Sequence, residues 1–78
     1  MIEKQHLIQI ANKKMPFGKY AGRVLLDIPE EYLLWMAKKG FQDNELGRLL
    51  SLTLAIKVEG SEFVLQPLRG KSMPPHEQ

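Results

Sequence analysis

The chain is 78 residues long, with 44% apolar and 26% charged residues, no cysteine and a formal net charge of +2. These figures match a small globular domain and exclude a collagen-like, low-complexity or wholly disordered chain. The missing cysteines exclude a disulfide framework and any thiolate-held zinc or iron–sulfur centre. The longest apolar run, Tyr32 to Ala37, is six residues, far short of the roughly twenty of a membrane helix. Nor does the first segment carry the basic stretch and apolar core of a signal peptide. The expectation is a soluble, cytoplasmic protein without membrane contact. Residues 1–70 should form one domain, and residues 71–78, with Pro74-Pro75, a disordered tail.

In chain order, residues 2–12 read as an amphipathic helix. Leu7, Ile10 and Ala11 fall on one face, Glu3 lies in the first turn and Asn12 can cap the end. A strand through 7–10 competes with it. From Met15 to Pro29 two short apolar runs flank Gly18 and Gly22, which suits a β-hairpin. Pro16 puts its first run at a sheet edge, and Ile28, ahead of Pro29, ends its second. Pro29-Glu30-Glu31 then opens a helix that closes at Lys38-Lys39-Gly40. Asp43 or Asn44 caps a further helix, read as 44–58. Past Ser51, Leu52, Leu54, Ile56 and Val58 alternate with smaller or polar residues, so a strand there is the rival. It would give a three-stranded sheet with a wing-like hairpin. Gly60 breaks the run, and Ser61 opens a short helix through Leu65. The expected class is α+β: an N-terminal helix, an edge hairpin, two packed helices and a short last helix.

Several chemistries fail on spacing. His6 and His76 lie near opposite ends, so no zinc pair forms, and no metal or cofactor is expected. Gly18-Lys19 lacks the earlier glycine and following hydroxyl of a phosphate-binding loop. Glu30 and Glu31 are adjacent, hence diverge on a helix, and suit its dipole better than acid/base work. No small-molecule substrate is evident, and an enzyme is not expected. Leu46, Leu49 and Leu50 match a leucine docking motif but sit at core spacing, as do Tyr32, Trp35 and Met36. A helix-turn-helix reader is disfavoured, because residues 45–58 offer few polar side chains to base edges.

What remains is a basic stretch. Residues 1–26 hold five basic side chains and one acid, Glu3, whereas 27–78 hold six basic and eight acidic ones. Lys14, Lys19 and Arg23 fall in the hairpin, whose loop carries Tyr20. Cations beside an aromatic can grip phosphates and stack an unpaired base, with Gly18 and Gly22 letting backbone approach. DNA or RNA is therefore the candidate partner. The competing account is a solvated loop with Tyr20 lying flat on the Trp35 helix.

The run Met15-Pro16-Phe17-Gly18-Lys19-Tyr20-Ala21-Gly22, followed by Asp27-Ile28-Pro29-Glu30-Glu31-Tyr32-Leu33-Leu34-Trp35, adds a resemblance. With Phe41, Glu45-Leu46-Gly47, Ile56-Lys57 and Pro67-Leu68, it resembles a family of small uncharacterised bacterial proteins labelled putative quorum-sensing-regulated virulence factors, over roughly residues 8–69. The shorter F-G-K-x-x-G…P-x-x-Y-L-x-W pattern is similar to a segment appended to some exonuclease X-type DNA exonucleases. The first resemblance implies a fold more directly than an activity. The second implies nucleic-acid proximity without the nuclease's catalytic carboxylates. Many family members carry Lys where Ala21 stands, so this loop is one cation short. The leading expectation is a non-catalytic module that binds nucleic acid weakly, through Lys14, Lys19, Tyr20, Arg23, Gly18 and Gly22. The alternative is a protein-interaction or homodimerisation module, in which the F-G-K-x-x-G signature only shapes a turn and Trp35 fills the core.

Overall fold

The computed structural model describes residues 3–70, so the expected tail at 71–78 lies outside the described residues. The first helix, α1, spans Lys4–Asn12 and buries Ile8, Ile10 and Ala11. Leu7 is only partly covered. Glu3 precedes the helix with extended backbone and makes no side-chain cap.

The expected hairpin, and with it the α+β class, is overturned. Among the described residues there is no strand, and the two arms meet at one isolated antiparallel bridge, Lys14 with Val24. The reversal itself is real. Met15 N–H donates to the Arg23 carbonyl at 2.8 Å, and Leu25 N–H donates to that of Lys13 at 2.9 Å. The pairing stops there for physical reasons. The Met15 carbonyl accepts from Gly22 N–H at 2.7 Å, one residue out of register, while Arg23 N–H turns back to the Tyr20 carbonyl. Gly18 and Gly22 adopt φ of +84° and +88°, which curl residues 18–23 into consecutive turns (Ala21 to Gly18 and Arg23 to Tyr20). On the other arm, Leu25–Asp27 winds at once into a 3-10 turn that buries Leu25 and Leu26. The molecule is mostly helical.

The second helix, α2, spans Glu30–Lys39. Pro29 stands at its cap instead of its first turn, and its carbonyl accepts from Tyr32 N–H and Leu33 N–H. Glu30 and Glu31 lie at the positive end, Lys38 and Lys39 at the negative end, and Gly40 ends it. Leu33 is its one fully buried residue, so α2 rests on the core along a narrow stripe.

The third helix, α3, spans Glu45–Val58 without interruption, which excludes the strand alternative at 51–58. Asn44 is the cap, its Oδ1 accepting from Gly47 N–H at 2.8 Å. Leu49, Leu50, Thr53 and Ile56 form the buried face. Buried Thr53 satisfies its hydroxyl by donating to the Leu49 carbonyl at 2.7 Å, which lets a polar residue occupy a core position.

The last element, Glu62–Leu68, is a 3-10 helix that buries Leu65. Ser61 precedes it without a side-chain cap bond. Lys57, almost fully covered, donates to Glu62 at 3.1 Å and ties it to α3. Two further ties fasten this stretch to α1 and to the 3-10 turn at Leu25–Asp27. Asn12 Nδ2 donates to the carbonyls of Ile8 and Leu68, both at 2.9 Å, while Asn12 Oδ1 accepts from Gly70 N–H at 2.6 Å. Arg69 grips Asp27 with two bonds, at 2.6 and 3.1 Å. Instead of merely capping α1, Asn12 staples it to the end of the described chain.

Candidate nucleic-acid interface

The loop between α1 and the 3-10 turn lies against α2 because Gly18 has no side chain. A Cβ there would stand 3.0 Å from the Tyr32 hydroxyl oxygen. This close approach seats Tyr20 beside α2, its ring centroid 4.8 Å from that of Tyr32 in an edge-on arrangement. Tyr32 in turn stacks on Trp35 at 5.6 Å, the planes 28° apart. The i, i+3 spacing of Tyr32 and Trp35 on α2 makes them neighbours. Three rings thus run in a row from the loop along the helix.

Cations stand over that row. Lys19 Nζ lies 5.7 Å from the Tyr20 centroid and Arg23 Cζ lies 5.2 Å from it. Lys39 Nζ lies 5.0 Å from the Trp35 centroid. These are cation–π distances, and they hold the charges near the ring faces without neutralising them. Among the described residues, the salt bridges are Arg48–Asp43, Lys57–Glu62 and Arg69–Asp27. Lys14, Lys19, Arg23 and Lys39 take part in none of them. Arg69, by hydrogen bonding, holds the Asp27 carboxyl below its ordinary value of 3.8, and the positive charge of Arg23 adds to the effect.

Of the expected site residues, Lys19, Tyr20 and Arg23 come together, with Gly18 and Gly22 as the exposed shoulders of their loop. Lys14 is exposed at the base of the loop, where it pairs with Val24. Tyr20 is partly buried against the core, with the Tyr32 ring edge-on to it and the two cations over it. The open rings are elsewhere. Trp35 is 51% exposed and Phe17 is 46% exposed, which corrects the expectation that Trp35 belongs to the core. Lys39 was legible as a helix-closing cation, and its position four residues after Trp35 is the signal that would have joined it to the site.

A family model described as "Putative quorum-sensing-regulated virulence factor" matches residues 3–68. The chain belongs to that family. The match spans the loop, the ring row and the last 3-10 helix, so the candidate interface lies wholly within the family's region. "Uncharacterized protein YpeB" of Escherichia coli strain K12 is 56% identical over 69 residues, covering 87% of this chain and 96% of the relative. The protein of the same name from Escherichia coli O157:H7 matches equally. No solved structure matches. No helix among the described residues is long and apolar enough to cross a membrane.

Proposed function

We propose that the protein is a non-catalytic cytoplasmic module that binds nucleic acid through the loop of residues 14–23 and the adjoining face of α2. Lys14, Lys19 and Arg23 contact phosphates, Gly18 and Gly22 let the chain approach, and Tyr20 fixes Lys19 and Arg23 in place. The supporting observation is the row of rings with cations over it that form no salt bridge among the described residues. Such a surface offers attraction to a polyanion and a flat apolar plane side by side, the two ingredients of sequence-tolerant strand binding. Phosphate contacts carry no sequence information, so binding is weak in specificity.

The test is fluorescence anisotropy with labelled single- and double-stranded DNA and RNA across a salt series. Three phosphate contacts predict a log–log salt slope of about −2 on a single strand. The Lys19→Glu, Arg23→Glu double variant, its helical circular dichroism unchanged, should lose binding at low salt. Undiminished affinity in that folded variant overturns the proposal.

Self-association is a second reading, favoured by exposed Val58, Phe63 and Val64 near the last 3-10 helix, well removed in sequence from the basic loop. Sedimentation at several concentrations separates the two readings. A monomer throughout the range removes the second.

A further inference from the structure

The ring row ends at a cleft. Phe17, Trp35, Met36, Phe41, Leu46 and Leu50 wall a cavity of about 170 Å³ between the loop, the end of α2 and the first turns of α3. The link after α2 can close this cleft because Gly47 has no Cβ. A side chain there would overlap the carbonyl oxygen of Gln42. Gln42 itself stands at the cleft, its amide oxygen accepting from Asn44 Nδ2 at 3.0 Å. Lys39 is the one charged residue among the described walls, and its ammonium lies over Trp35.

We infer that this cleft receives an unpaired base of a single-stranded nucleic acid. The inference rests on the nucleic-acid reading above and moves the base from Tyr20 to the space beside Trp35. Size supports it, since an apolar cavity of about 150 Å³ is already large enough for a benzene ring. So does the lining, because Phe17, Trp35 and Phe41 offer aromatic surface to a flat ring and the Gln42 amide can pair with its edge. Charge selects the occupant. Lys39 at the cleft and Lys19 and Arg23 along the row match a strand whose phosphates follow the rings while one base turns inward. An apolar peptide matches the walls but not the cations. A base held in a duplex cannot turn in without first unpairing.

The chain has one tryptophan, so intrinsic emission reports on the cleft directly. The probes are an oligothymidine, an abasic strand of the same length and charge, and a blunt duplex. The oligothymidine should alter Trp35 emission and bind about tenfold more tightly than the abasic strand. Leu46→Phe, which fills the cleft, should remove both the emission change and that preference while the salt-dependent component stays. Trp35→Ala, at an exposed position, should lose the preference when followed by anisotropy. It covers the case in which Leu46→Phe fails to fold. Equal binding of the two strands with unchanged emission overturns the base cleft and leaves the phosphate-binding reading standing. Duplex binding with the same emission change also overturns it. Loss of all binding at low salt removes both readings, and emission that shifts with protein concentration alone assigns the cleft to a second copy of the chain.

Discussion

At position 47, helix propensity and packing pull in opposite directions. An alanine inside a helix is ordinarily more favourable than glycine by about 1 kcal/mol. Here its methyl group would meet the Gln42 backbone, which is pinned between α2 and the Asn44 cap. Backbone cannot step aside as a side-chain end can, so packing wins. Gly47→Ala should lower stability by roughly 1–3 kcal/mol, read as an earlier denaturant midpoint; a later midpoint would show that the link yields. The sequence displays Gly47 only as a small residue inside a leucine run. Its necessity depends on a chain segment that folds back against it, and no local pattern records that. Trp35 teaches the same lesson in reverse. With Tyr32 and Met36 it shows the i, i+3, i+4 spacing of a core stripe, yet α2 fully buries Leu33 alone, and Trp35 is left half exposed.

The helices were legible because their ends are written in residue chemistry: Pro29 with two glutamates, Lys38-Lys39-Gly40, and Asn44 before the leucine run. The supposed hairpin was legible only as a reversal. Turn glycines announce that the chain comes back, but the length of pairing depends on what each arm does next. One arm curls through the turns at Gly18 and Gly22, and the other winds into a 3-10 turn. Along residues 51–58 the alternation was genuine, and the helix prevailed because no breaker precedes Gly60 and Thr53 can satisfy itself within a helix. The last 3-10 helix has a prediction of its own. Asp27 titrates below its ordinary value of 3.8 because Arg69 bonds to its charged form. A depressed carboxylate contributes stability above the unfolded-state value, lost as pH falls through the lower folded-state value. Both side chains are partly exposed, so the contribution at neutral pH should stay under about 1 kcal/mol. Arg69→Met should therefore melt below the parent protein at neutral pH and level with it well below 3.8. A gap that persists in strong acid would mean that Arg69 acts through packing.

For the molecule as a whole, the candidate site was partly legible. The excess of cations in residues 1–26 and their freedom from nearby acids could be read from the chain, and the loop does gather Lys19, Tyr20 and Arg23. The contribution of α2 could not, because Lys39 and Trp35 join the site only once Gly18 lets the loop settle on Tyr32. The Asn12 staple has a kinetic consequence. Its bonds to Leu68 and Gly70 join residues 56 and 58 positions apart, while α1, α2 and α3 are each held by bonds within a few residues. Closing so long a loop has an entropic cost that local helices do not share. The staple should therefore form after the rate-limiting step, and Asn12→Ala should speed unfolding while leaving the refolding rate nearly unchanged. A stopped-flow chevron in which only the refolding arm moves would instead place Asn12 and the Leu68–Gly70 stretch together early. On the expected order, the staple acts as a latch: it sets how long the folded molecule lasts, not how quickly it is reached.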